Sequence, residues 1–273
     1  MNVARAVVTA LALLSMLATG PVLAFEPAGN LIIVGNGPEQ TVMEALARAF
    51  EKAHPRAYID VLWDTQLNPP EMVKRGQAHI AVSASAHPDL ASTQIGWDGI
   101  GILVHLSNFT KELTKQQVAL IFTGAVKEWS EVGGPETRIS LIDRPRSQNI
   151  RDAFESQLEI VGKISDTAKT IDSDDLVVKT VAGTLPPLSA VAYISLSSGL
   201  SAVSSGVAVR LMPIDKVEPE APTVRDGRYG LRRPLLLLSK PQPDPLVQAF
   251  ITFARSAPGQ AIVGNEYISL QSE

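Results

Sequence analysis

The chain has 273 residues, a formal net charge of −4, 45% hydrophobic and 19% charged residues, and no cysteine. The length allows one or two domains with real cores, and the composition excludes both a disordered chain and a protein of several membrane spans. Mild acidity without a Lys/Arg-rich face argues against a nucleic-acid partner, and the lack of cysteine rules out disulfides and thiolate metal ligands.

Residues 1–24 hold a lone positive charge at Arg5, an apolar run from Ala6 to Leu17, and the small-residue pattern Val22-Leu23-Ala24. This is the pattern of a cleaved secretory signal peptide. The run falls short of the roughly 20 apolar residues that a spanning helix needs. A soluble exported chain starting at Phe25 is expected.

Leu31 to Gly35 reads as an apolar strand that runs into Asn36-Gly37-Pro38-Glu39. Apolar Val42, Met43, Leu46, Ala47 and Phe50 then recur at helical spacing. Asn36 as N-cap, Pro38 just inside and Glu39 three residues on predict a helix start of capping-box type. Strands are expected over 58–63 and 80–82, with a short helix over 70–76 between them. This strand–helix alternation predicts an α/β sheet with right-handed crossovers, in which ligands sit at the carboxyl ends of strands. Those ends are 35–39, 63–66 and 83–85. Trp63, at one of them, is suited either to stacking on a planar solute or to packing.

Gly99 to His105 is a fully apolar strand, Thr114 opens a helix ending near Phe122, and Ile139 to Ile142 is a further strand. A polar loop follows, and a helical pattern begins near Asn149. A strand-to-helix turn points free N–H groups at whatever lies in front of it, and this one also carries Arg144, Arg146 and Arg151. Guanidinium forks suit oxyanions; the alternative is a solvated face, or pairing with Asp143 and Asp152. Helices are expected over 174–181, 245–255 and 258–263, strands over 191–195, 207–212 and 234–239, and a long loop over 213–233. The two strongly apolar strands, 99–105 and 234–239, are candidates for connecting two lobes, the second inserted in the first.

Several stretches resemble one family, the PstS-like phosphate-binding periplasmic proteins of bacterial ABC importers. They are Asp98-Gly-Ile-Gly-Ile-Leu-Val-His105, Leu113 to Gly124 with Trp129 and Glu131-Val-Gly-Gly134, Arg151-Asp-Ala-Phe154, Ala192-Tyr-Ile-Ser-Leu196, and Pro213 to Pro219 running through Thr223 to Lys240. The resemblance implies an α/β, two-lobed periplasmic-binding-protein-like fold of type II, with two crossing strands between the lobes. Lobe 1 would be 25–98 plus 232–273 and lobe 2 would be 99–231. It implies an exported periplasmic monomer that binds phosphate or another small oxyanion or polar solute in the interlobe cleft and delivers it to an ABC permease. The candidate ligand-binding residues are Asn36, Gly37, Thr65 and Ser83 at the strand ends, Arg146 and Ser147 on the arginine-bearing turn, and Arg144 and Arg151, the two that the resemblance carries over.

This chain departs from the family at the cleft. The Gly/Ser/Thr-rich first loop is here Gly35-Asn36-Gly37-Pro38-Glu39, so Pro38 removes a donor and Glu39 brings a carboxylate to within a turn of the expected anion. The family pattern Arg-x-x-Gly-Ser-Gly-Thr-Arg keeps its outer arginines in Arg144 and Arg151, but its Ser and Thr become Gln148 and Ile150. These departures leave a second reading open: a non-transport envelope protein that keeps the scaffold as a protein-interaction or sensor module. No Gly-x-Ser-x-Gly elbow is present, and His54, His79, His87 and His105 lack metal-ligand spacing, so no enzyme activity, metal or cofactor is expected.

Overall fold

The computed structural model describes residues 26–270, so the expected signal peptide lies outside the described residues. Strand β1 (Gly29–Gly35) leads into helix α1 (Gln40–Ala53), whose buried Val42, Met43, Leu46, Ala47 and Phe50 form one apolar stripe. Phe50 meets Phe250 and Phe253 edge-on, each at 5.5 Å between ring centroids. Strand β2 (Ala57–Trp63), short helix α2 (Pro69–Lys74) and strand β3 (Ile80–Ser83) complete two crossovers, and β1 pairs in parallel with both β2 and β3.

Strand β4 (Ala91–His105) is a single run of 15 residues. The apolar signal at 99–105 marked only its second half; the first half, Ala91 to Asp98, is more polar and less buried and is held by pairing with β9 (Arg232–Ser239). Helix α3 (Lys115–Phe122) begins with the full Thr114/Gln117 capping box. Strand β5 (Ser140–Asp143), helix α4 (Asn149–Gln157), the two-residue β6 (Lys169–Thr170), helix α5 (Asp174–Gly183) and strand β7 (Ala190–Ser195) follow. Next come helix α6 (Leu196–Ser204), strand β8 (Val209–Leu211) and the short helix α7 (Ala221–Arg225). Helices α8 (Pro245–Arg255) and α9 (Ala257–Val263) and strand β10 (Ile268–Ser269) close the described chain.

Two of these helices differ from the sequence expectation. The segment 196–204 is Leu-Ser-Ser-Gly-Leu-Ser-Ala-Val-Ser, poor in helix formers, and tertiary packing overrides that preference: Leu196, Gly199 and Ala202 are buried, and a Cβ on Gly199 would collide with Leu211. Within the expected loop 213–233, Pro222 sits in the first turn of α7 and Thr223 and Val224 are buried.

The strands run in the order β2-β1-β3-β9-β4-β7-β5-β6, with β8 and β10 also pairing β4. One half of the sheet holds β1, β2, β3, β9, β10 and the start of β4; the other holds the end of β4 with β5, β7 and β8. Each half has its own apolar core, one around Leu31, Phe50, Ile80, Leu237 and Phe250, the other around Ile102, Phe122, Trp129, Phe154 and Tyr193. The α/β expectation is borne out. Between the halves, the loops after β1, β2, β3 and β5 face one another.

Candidate functional site

The loop after β1 does not cap its helix as expected. Glu39, and not Asn36, is the N-cap of α1, and its side chain makes no cap bond. The carboxylate turns inward, fully buried, and accepts from Arg233 Nη1 at 2.5 Å and from Asn149 Nδ2 at 3.1 Å. A buried guanidinium and amide outbid a solvent-side backbone N–H, because charge-assisted bonds away from water are the stronger ones.

Arg233, the second residue of β9, lies directly opposite Asp98 on β4. Its Nε and Nη2 both donate to Asp98 Oδ2, at 3.1 and 2.8 Å, and Ser195 Oγ donates to Asp98 Oδ1 at 3.1 Å. Arg233 Nη1 also donates to Asn149 Oδ1 at 2.9 Å. A continuous buried chain therefore runs Ser195–Asp98–Arg233–Glu39–Asn149, from the crossing strands to the first turn of α4. Burial pushes the Asp98 carboxyl up to about 6, against the pull of Arg233. For Arg233 itself, burial pulls its pKa down, but Glu39 and Asp98 more than offset it and keep the guanidinium charged.

The same loops touch directly across the cleft. Asn36 donates through Nδ2 to the carbonyls of Leu67, at 3.2 Å, and of Ser147, and its Oδ1 accepts from the Asn149 N–H at 3.4 Å. Ser147 Oγ donates to the Thr65 carbonyl. Gly37 leaves room for this contact: a Cβ there would collide with Asn149 and with the Glu39 carboxylate. Trp63 packs flat against Gly35 and donates from Nε1 to the Gly37 carbonyl at 2.7 Å, so its ring is a wall of the loop.

Outside this clasp lies a cavity of about 410 Å³, lined by Asn36, Gln66, Asn68, Ser83, Ser85, Arg146, Ser147 and Asn149 among others. The size suits a small solute. Of the residues singled out from sequence, Asn36, Ser83, Arg146 and Ser147 line it. Thr65 contributes its carbonyl to the clasp, and Gly37 contributes space and a carbonyl.

Arg144 and Arg151 do not line the cavity. Arg151 is 6% exposed and pairs with Asp143 at 2.8 Å and Glu155 at 2.9 Å. Arg144 is 1% exposed; its Nε donates to Gln148 Oε1 at 2.9 Å, and its Nη1 sits 3.0 Å from Asp174 Oδ1 without hydrogen-bond alignment. The pairing alternative is thus realised for Arg151 with Asp143. Burial raises the pKa of both Asp143 and Asp174. Arg146 is exposed and joins none of the ion pairs among the described residues.

Sequence reasoning missed Asp98, Arg233 and Asn149. The available signal was position: a charged residue sits near the start of each strongly apolar strand, where burial demands an opposite charge. The described residues include no cluster of His, Asp and Glu that could hold a metal, and no helix long and apolar enough to cross a membrane.

A family model described as the PBP superfamily domain matches residues 26–258. The chain belongs to the PBP superfamily. Within that superfamily its relatives are PstS-like, as the sequence resemblance implied. It is 26% identical over 239 residues to the phosphate-binding protein PstS of Bacillus subtilis, covering 84% of this chain and 76% of that one. A second relative, the phosphate-binding protein PstS of Borreliella burgdorferi, is 26% identical over 158 residues, 55% of each chain. Among solved structures, this PBP-superfamily chain superposes on an ABC-type phosphate transport receptor from Vibrio cholerae with a TM-score of 0.76 at 25% identity, over 88% of this chain and all of that one. PstS from Borrelia burgdorferi, at 18% identity and a TM-score of 0.65, shares the fold over 89% of this chain and 99% of that one.

Proposed function

We propose that this chain is an exported solute-binding protein of the PstS-like type, which holds a small oxyanion in the cleft between two lobes and presents it to a membrane permease. The relatives' names make phosphate the first ligand to test. The observation that carries the reading is the convergence of four loops, from both halves of the sheet, on one cavity of about 410 Å³ whose lining includes Arg146, which joins no ion pair among the described residues, together with the single carboxylate of Asp152. The lobes are 25–98 plus 232–273 and 99–231. Arg146 supplies charge, and Ser83, Ser85, Ser147, Asn36 and Asn68 surround the solute with polar groups. A periplasmic location follows from the expected signal peptide, and a binding role without catalysis follows from the relatives' transport names.

Calorimetric titration of the mature chain with phosphate, sulfate and a panel of organic acids tests this. One of them binds, and Arg146→Ala weakens that binding about tenfold, the equivalent of 1.4 kcal/mol. No heat and no thermal shift with any of them would sink the receptor reading. A second reading, a protein-interaction or sensor module on the same scaffold, draws its support from the clasp: both sides of the cleft are bridged by the chain's own side chains.

A further inference from the structure

Among the buried charges of the cleft, one has no counterpart in the expectation that the cleft receives its anion from solution. Glu39 is 0% exposed and lies at the amino end of the 14-residue helix α1, the end whose partial positive charge favours an anion. It does not use that helix's N–H groups for capping. Its two oxygens instead take one donor from a crossing strand, Arg233 Nη1, and one from the opposite side of the cleft, Asn149 Nδ2. A guanidinium and an amide donating to a carboxylate, beside the amino end of a helix, resemble the surroundings that a bound oxyanion would have. Here the anion is covalently part of the chain.

We infer that Glu39 is a built-in occupant of the deep anion subsite and the residue that sets the cleft's selectivity, confining any oxyanion from solution to the outer cavity around Arg146. The inference rests on reading the cleft as a solute site. Two further observations support it. Gly37 is bare where a Cβ would strike both Asn149 and the Glu39 carboxylate, so the first loop is shaped around this contact. The buried charges here are also already oversupplied with negative ones: Glu39, Asp98, Asp143, Glu155 and Asp174 against Arg144, Arg151 and Arg233. A dianion added beside Glu39 meets repulsion with no unpaired buried cation among the described residues to offset it; Arg146, which joins no ion pair, is exposed and lines the outer cavity.

Removing Glu39 still leaves Arg233 paired with Asp98, so Glu39→Ser opens the subsite without stranding the arginine. Sulfate and phosphate are titrated into the wild type, Glu39→Ser and Glu39→Gln, with circular dichroism as the folding check. Glu39→Ser is expected to bind at least one of the two anions tenfold or more tightly than the wild type. Glu39→Gln keeps the side-chain shape but loses the charge; it gains about threefold, and it carries the test should the serine variant not fold. Unchanged or weaker binding by the folded variants overturns the inference, including the case in which neither they nor the wild type binds either anion. Gain in the variants with a silent wild type upholds it while the solute-receptor reading fails; binding by the wild type that Glu39 substitution leaves alone does the reverse.

Discussion

Replacing Arg233 with methionine removes the one cation that stands between two fully buried carboxylates. Arg233 is 2% exposed and bonds Asp98 through two nitrogens and Glu39 through the third. Breaking such a pair from one side leaves an uncompensated charge in a low dielectric, at a cost of about 3–5 kcal/mol. The loss is expected in full at pH 7.5. It shrinks near pH 5, because Asp98, held at about 6 even with the arginine beside it, rises further without it and takes up a proton in the folded state. Urea unfolding at the two pH values reads both effects. A triple variant, Arg233→Met with Asp98→Asn and Glu39→Gln, removes all three charges and recovers most of the stability at pH 7.5. A loss below about 1 kcal/mol at pH 7.5, or an equal loss at both pH values, would refute the claim that this cluster is electrostatically closed.

Two further outcomes follow from the same charges. In the wild type, the Asp98 pKa of about 6 lies above its ordinary 3.8, so between those values the folded state holds the extra proton and stability declines as pH rises. A rise from 3.8 to about 6 corresponds to a stability change on the order of 3 kcal/mol across that range; Asp98→Asn flattens that decline in a pH series of thermal melts, and an unchanged slope would place the titration elsewhere. Arg151→Ala strands Asp143 and Glu155 and lowers stability by about 3 kcal/mol. At a temperature where the variant remains folded, its solute affinity stays within threefold of wild type, and a tenfold loss would return Arg151 to the binding surface.

Most of the sheet was legible in the sequence because strands such as β1, β3 and β7 are short apolar runs bounded by turns, and α1 because its stripe repeats at 3.6 residues; the polar first half of β4 and the two-residue β6 and β10 carry no such signal. Helix α6 was not, since Ser and Gly fill five of its nine positions and its formation rests on Leu196, Gly199 and Ala202 packing inward. The site was legible as an address and misread in its polarity. Arg144 and Arg151 stand on the right turn, but whether an arginine faces a cleft or a carboxylate depends on what the fold sets opposite it. Asp174 and Glu155 are 30 and four residues away from those arginines, and only one of those separations is visible as a helical pair. The Asp98–Arg233 pair spans 135 residues and is visible only once β4 and β9 are in register.

The position of β9 also decides when the molecule can be assembled. In the sheet it lies between β3 and β4, although it is the ninth strand in the chain. Strands β1, β2 and β3 can form a parallel ribbon early, but that ribbon has no edge on which to join β4 until residues 232–239 have arrived. The half built from the end of β4 through β8 has no such wait, for its strands pair among themselves over one continuous stretch of chain. Its pairings are the more local, and the high sequence separation of the β9 pairings predicts that they close late. Arg233, at the start of that strand, brings the last charge of the cleft with it.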